Sequence, residues 1–184
     1  MPVVAGKRVF LRVPSPEDLE EFTSLNRRSL RFHRGLVSPP TDAAGFSTYL
    51  ERCSLADTAS FFICRTEDNA IVGAINLSQI FRGGFQSAYL GYFVGEPFAG
   101  RGYMSEALQL VLRYAFRDLG LHRLEANIQP GNVASVALVQ RAGFSLEGYS
   151  RRYLKIGGQW RDHERWAIIA EDYKARTNSK KSKL

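Results

Sequence analysis

Residues 94–108 read VGEPFAGRGYMSEAL, three glycines and a proline that run without a break into an amphipathic helix. Glycine tolerates left-handed backbone and lets a ligand come up against the main chain. A helix N-terminus adds unpaired N–H groups and a partial positive charge, so a bare turn placed there suits an anion, phosphate first. Beyond the turn, Met104, Leu108, Val111, Leu112, Ala115 and Phe116 recur at helical spacing until Gly120 supplies the C-terminal glycine.

Upstream lie short runs rich in β-branched and aromatic residues: SFFICRT, a polar turn at Glu67-Asp68-Asn69, IVGAINLSQI, a turn from Phe81 to Ser87 holding Gly83 and Gly84, and AYLGYFV. These read as an antiparallel meander. Downstream come a strand, RLEANIQ, a turn at Pro130-Gly131-Asn132, a short helix VASVALVQRA stopped by Gly143, and two last strands divided by Gly157-Gly158. Strand, loop, helix and strand around Val94 form a crossover, so the two strands it joins are expected to be parallel within a largely antiparallel sheet. Toward the N-terminus, Ser15 reads as an N-cap, with Pro16 in the first helical position, Glu17 and Asp18 in the first turn, and Leu19, Phe22 and Leu25 on one side. That helix is expected to end near Phe32. A second starts at Thr41 or Asp42, with Phe46, Tyr49, Leu50 and Cys53 as its apolar face. Both helices are placed before the first strand, and the class is mixed α/β.

The chain has 184 residues and a formal charge of +7. Its length suits one domain, set at residues 1–173, and the end from Lys174 carries Lys174, Arg176, Lys180, Lys181 and Lys183 with no acid, leaving 7 − 5 = +2 for the rest. The 174–184 segment is expected to be a disordered basic tail that serves solubility or attracts RNA. Its last residues, Ser182-Lys183-Leu184, spell a peroxisomal address that also arises readily by chance. Cys53 and Cys64 fit neither a CxxC motif nor a zinc pair and read as buried thiols. MPVVAGKRVFLRV holds no apolar stretch of signal-peptide length, and no run approaches the roughly 20 apolar residues of a membrane span. A cytoplasmic protein with no membrane partner is expected. His33, His122 and His163 are scattered without metal spacing and read as structural, with no metal expected.

A dinucleotide fingerprint is disfavoured at Gly100-Arg101-Gly102. Its third glycine position is Ser105, and Glu96 to Ala99 separate strand from turn. No lysine holds a P-loop position. A purely structural glycine turn stays open.

The loop resembles that of the GNAT acetyltransferases, Q/R-x-x-G-x-G/A at the start of a helix, here Pro97 to Gly102 followed by Tyr103 and Met104. The glycines match, and Pro97 stands in the first position. The second half, NVASVALVQRAGFSLEGYSRRYLKIGGQWRDH, is similar to the ribosomal-protein-alanine N-acetyltransferases of the RimJ/RimL type, with N-x-x-S, R-A-G-F, L-E-G-Y and G-Q-W-R-D-H in that order. The resemblance spans nearly the whole chain. It implies the GNAT fold, a twisted, largely antiparallel sheet with a central splayed parallel pair, flanked by helices.

The same resemblance implies acetyl-CoA as cofactor, CoA as product, and an amine acceptor, the N-terminus of a (ribosomal) protein first; a small amine or amino sugar as acceptor, or a ribosome- or RNA-associated factor with a vestigial cofactor site, stay open as alternatives, as does the oligomeric state. It puts the pyrophosphate on the main chain of Gly100, Arg101, Gly102, Tyr103 and Met104, with Arg101 adding charge. It lays the pantetheine arm along Phe93, Val94 and Gly95, with an N–H near Val94 facing the thioester carbonyl. Asn132 would touch the arm, and Ser135 would protonate the departing sulfur, with Tyr149 and Tyr153 as rival acids. Plain readings stand beside these. Gly95 is a hinge or a bulge glycine. Asn132 and Ser135 cap a helix. Strand alternation puts Arg123, Glu125 and Asn127 on one face, so Glu125 is either the base or the ion-pair partner of Arg123. Trp160 and Asp162 serve the acceptor, or packing and turn hydrogen bonds. A peptide α-amine costs roughly 1 to 1.4 kcal/mol to deprotonate at pH 7, against about 4.6 for lysine, which favours an N-terminal acceptor where no strong base is in sight.

Overall fold

Unbroken apolar runs such as SFFIC suit strands covered by helices on both faces. The computed structural model describes residues 3–181, with side chains through 178, and bears this out. The described residues form one eight-stranded sheet: β1 (Val4–Ala5), β2 (Val9–Arg12), β3 (Ala59–Arg65), β4 (Ile71–Phe81), β5 (Ser87–Val94), β6 (Arg123–Ile128), β7 (Ser145–Ile156) and β8 (Gln159–Ile169). The order is β1-β2-β3-β4-β5-β6-β8-β7, and only β5 and β6 pair in parallel. On one face lie α4 (Tyr103–Arg113), α5 (Val133–Ala142) and α6 (Ala170–Lys181). On the other lie α1 (Leu19–Arg28) and α3 (Ala43–Cys53). Phe61 and Ile63 of β3 face the first group, and Phe62 and Cys64 the second. The sheet thus has the arrangement that the resemblance implied, largely antiparallel with a central parallel pair.

Local signals place the helix ends. Ser15 and Asp18 form a capping box, with the Ser15 N–H donating to Asp18 Oδ2 at 2.8 Å, and a tight turn at Pro16–Asp18 leads into α1. The first helical stretch breaks at Ser29 and resumes as α2 (Leu30–His33), one residue past the expected end. Asp42 caps α3 by accepting from the Gly45 N–H at 2.8 Å. Gly143, at φ +101°, closes α5.

Two expectations are corrected. The helices do not precede the strands, because the hairpin β1–β2 comes first. Val9 and Leu11 are fully buried there, and the turn at Lys7-Arg8 is pinned from α4, where Glu106 Oε1 accepts from the Lys7 and Arg8 N–H groups at 2.6 and 2.8 Å. The lysine-rich end is also not a tail from Lys174 onward, since α6 runs to Lys181. Tyr173 packs on Phe116 with ring centroids 5.2 Å apart, and Arg176 donates to the Arg141 carbonyl at 2.9 Å, which ties the helix to α5. The Ser182-Lys183-Leu184 ending lies outside the described residues.

The parallel pair sets up the site. Ser87, Ala88 and Tyr89 of β5 pair with Arg123, Leu124 and Glu125 of β6, and there the ladder stops. β5 continues to Val94 bonded only to β4, so a wedge opens between it and β6. No helix among the described residues is long and apolar enough to cross a membrane.

Candidate active site

The wedge holds a cavity of about 360 Å³. Tyr92, Phe93 and Val94 form its strand wall, and Gly100, Gly102, Tyr103 and Met104 close one end. Asn132 and Ser135 enter from α5, and His33 and Leu36 from the α2 side.

Antiparallel pairs alternate between bonded and non-bonded kinds. The Gly95 N–H donates to Val72 at 2.8 Å, so the adjoining Val94–Gly73 pair is the non-bonded kind. Val94 therefore turns both its N–H and its carbonyl away from β4, toward the wedge. His33 Nε2 lies 2.9 Å from that carbonyl, which leaves the N–H for a ligand.

Gly100 and Gly102 adopt φ of +72° and +80°, the left-handed region their sequence position called for. Around Gly100 no atom lies within 4 Å of where a Cβ would stand, and at Gly102 only Arg8 Nη1 does, at 3.5 Å. The main chain at the start of α4 is thus bare. Arg101 is exposed and does not line the cavity, while its carbonyl accepts from Arg8 Nη2 at 2.7 Å. Arg8 also lies over the Tyr103 ring at 4.6 Å, and Arg65 and Arg8 together hold the Tyr103 phenol below its usual pKa.

Mid-cavity, the Tyr92 hydroxyl and Ser135 Oγ are 2.5 Å apart. Burial pushes the Tyr92 phenol up to about 12, against a smaller opposing effect of Ser135, so at neutral pH the pair keeps its protons and can donate one. Tyr92 was not foreseen from sequence. The signal was there, because strand alternation sets it on the same side as buried Leu90, facing the helices. Asn132 Oδ1 accepts from the Ser135 N–H at 3.2 Å, so Asn132 caps α5 and lines the cavity at once.

Other expected residues lie apart. Gly95 sits just past β5 with φ −65°, neither a hinge nor a bulge. A Cβ there would stand 2.8 Å from Leu25 Cγ and press on Cδ1 as well, so the approach of α1 is what requires glycine. Glu125 is at the paired end of the wedge, off the cavity, with Oε1 2.8 Å from Arg123 Nε; Arg123 also holds Glu147. The Tyr149 hydroxyl donates to Asp162 at 2.6 Å, and the Tyr153 ring lies 6.1 Å from that of His163; neither tyrosine lines the cavity. Asp162 also accepts from the Arg152 N–H at 2.7 Å, a contact across the β7–β8 register shift between Ser150 and Leu154, where Arg152 has φ +49°. Trp160 is 61% exposed and, with Leu36, Gln129 and Asp162, lines an adjoining hollow of about 530 Å³; Leu36 borders both spaces. Cys64 is buried and Cys53 half-buried, both free. Among the described residues no group of three or more His, Cys, Asp or Glu stands ready for a metal.

Comparison with known proteins gives these features a context. The family model described as acetyltransferase (GNAT) domain matches residues 8–145. A probable N-acetyltransferase of Bacillus subtilis, YjcK, is 34% identical over 178 residues, 92% of this chain and 98% of its own length. The ribosomal protein uS5-alanine N-acetyltransferase of Escherichia coli is 43% identical over 107 residues, 58% of this chain and 55% of its own. Among solved structures, Mycobacterium smegmatis RimJ in complex with CoA-disulfide superposes with a TM-score of 0.81 at 27% identity, over 89% of this chain and 82% of that one.

Proposed function

This chain belongs to the GNAT family of acetyltransferases, and from that premise we propose that it moves the acetyl group of acetyl-CoA to the N-terminal α-amine of a protein, by direct attack with both partners bound. The wedge carries the reading: strand backbone turned outward at Val94, a bare glycine turn at a helix N-terminus, and a half-buried hydroxyl pair between them. A thioester supplies the acyl group already activated.

The residues present fit such a group. Main-chain N–H groups from Gly100 to Met104 would hold the pyrophosphate, and the open space at Gly100 and Gly102 is what that approach needs. Arg101 would add charge from the surface, and Arg8, stacked beside the turn, charge nearer the loop. Phe93, Val94 and Asn132 would line the pantetheine arm, with the Val94 N–H toward the thioester carbonyl. Gly95 would act indirectly, by letting α1 press the strand end into place. Ser135, backed by Tyr92, would hand a proton to the sulfur.

Among the described residues no carboxylate lines the cavity to favour an ammonium ion over a neutral amine. The amine that sheds its proton most cheaply is the α-amine. Similarity to the uS5-alanine enzyme supports the same acceptor, and the Trp160 hollow beside Leu36 offers room for the peptide that follows the amine. The test is a panel of alanine- and serine-started peptides against polyamines and amino sugars, each with acetyl-CoA, scored by a mass gain of one acetyl group. Peptides modified at the α-amine are expected. Labelling confined to small amines would overturn the acceptor, and no thermal shift with acetyl-CoA would favour a ribosome-bound factor instead.

A further inference from the structure

The hollow that adjoins the cavity lies against an irregular stretch of β7. Its walls include Leu36, Tyr149, Trp160, Arg161 and Asp162, and Leu36 is shared with the cavity. Along the β7–β8 ladder Ser150 stands opposite His163, and the next pair is Leu154 opposite Arg161. Three residues of β7, Arg151 to Tyr153, therefore face Asp162 alone. A bulge of this kind bends its strand and re-aims side chains, and bulges recur beside functional sites. Arg152 takes left-handed backbone here, which a residue with a Cβ resists. Asp162 holds the bulge, accepting from the Tyr149 hydroxyl at 2.6 Å and from the Arg152 N–H at 2.7 Å. Those two bonds, the tyrosine's first, keep its carboxyl below the usual range, and the charges of Arg151 and Arg152 add to the effect. Among the described residues Asp162 is the one acid lining the hollow, and it is spent on the bulge.

What remains is positive charge. Arg151, Arg152 and Arg161 are exposed, and among the described residues none of them forms an ion pair with an acid. Arginines elsewhere on the sheet do: Arg12 with Asp18, Arg65 with Asp68, and Arg123 with Glu125 and Glu147. Arg34, exposed and unpaired in the same way, comes two residues before Leu36. We propose that the hollow selects acceptors whose residues just after the first carry carboxylates, an inference that rests on the α-amine reading above. The occupant is a peptide and not a separate polyanion, because hollow and cavity meet at Leu36. A chain that sets its amine beside Val94 continues past Leu36 into the hollow, whereas a nucleic acid on the same arginines brings no basic amine to the wedge. Carboxylates along that chain meet Arg161 in the wall and Arg151 and Arg152 at the bulge, while Trp160 and Tyr149 give its apolar parts a flat surface. The same charges repel a lysine-rich start or a polyamine, which adds discrimination against the wrong acceptor.

The test gives the full chain acetyl-CoA and three alanine-started peptides that differ only in the residues after the first: acidic, serine or lysine. kcat/KM should rank acidic over neutral over basic, with about tenfold between the first two, the size expected of a few exposed ion pairs. The gap should lie in KM and close as salt is raised. Arg151→Gln, Arg152→Gln and Arg161→Gln combined should erase it. Arg151→Glu with Arg161→Glu should reverse it, making the lysine peptide the better substrate. Arg117→Gln, an exposed position beyond α4, should leave the ranking as it is. Calorimetry with CoA shows that each variant is folded. Equal kcat/KM for the acidic and neutral peptides, or a ranking that survives the triple variant, would overturn the inference while α-amine acetylation stands. So would a triple variant that loses affinity for single-stranded RNA in a gel shift yet keeps its peptide ranking, which would give the arginines to nucleic acid. A wild-type protein that acetylates none of the three peptides would instead remove the reading beneath it.

Discussion

Replacing Gly102 with valine separates backbone strain from loss of the cofactor contact. Gly102 holds φ +80° with almost no atoms around a would-be Cβ, so the variant should fold at a cost of about 1–2 kcal/mol for left-handed backbone. Gly83, in the β4–β5 turn at φ +65° with nothing within 4 Å, provides a control of equal strain far from the cavity. The two variants should therefore lose similar stability in denaturant melts. Their effects on CoA should diverge. A hydrogen bond to a charged group contributes about 1.5–3 kcal/mol, so valine methyl groups that deny two main-chain N–H contacts remove about 3–6 kcal/mol. That is a loss of roughly 10² to 10⁴ in Kd, readable by calorimetry with CoA. Gly83→Val should bind CoA as wild type does. A folded Gly102→Val with undiminished affinity would refute the pyrophosphate assignment, and equal loss in Gly83→Val would trace the effect to destabilisation.

Gly95→Ala should cost about 1–3 kcal/mol by overpacking against Leu25, seen as a lower Tm; an unchanged Tm would mean α1 yields freely. Arg12 grips Asp18 with two hydrogen bonds, at 2.7 and 2.5 Å, and the carboxylate is largely buried. Burial works to raise its pKa, but Arg12 and the Ser15 N–H outweigh it and hold the value below the usual one. A depressed carboxylate stabilises above its unfolded pKa of about 3.9 and loses that contribution as pH falls through the folded value. Asp18→Asn should then cost about 3 kcal/mol at pH 7, and urea melts should show the gap to wild type narrowing below about pH 4. Tyr92→Phe and Ser135→Ala should each lower kcat roughly 10²-fold with little change in KM for acetyl-CoA, and the double variant should be no worse than the poorer single, as for groups that act as a unit. Additive losses would assign the two hydroxyls separate tasks.

The glycine turn, the parallel crossover and most helix ends were legible because each rests on residues close in sequence: a left-handed glycine, an N-cap, an alternating strand. What stayed hidden depends on long-range contacts. The β1–β2 hairpin needs Glu106 of α4 to hold the turn at Lys7, and α6 needs Phe116 and Arg141 to draw in Tyr173 and Arg176. Glu125 was placed on the correct face of its strand, but alternation fixes faces and not distance along a wedge. Gly95 read as a backbone device because sequence reveals that a side chain is missing without revealing that Leu25 fills the space. His33 looked ordinary for the same reason, since nothing local told that the Val94 carbonyl would face its ring.

Three anchors fasten the α1–α2 arm to the end of β5: Leu25 against Gly95, Ser29 Oγ accepting from the Glu96 N–H at 2.9 Å, and His33 on the Val94 carbonyl. The chain that follows, through Leu36, borders the hollow where an acceptor would lie. On the proposed function, substitutions in that stretch should reshape acceptor preference while the anchored arm keeps the strand end in place. A lineage built this way can change clients through a few loop residues and inherit its chemistry intact.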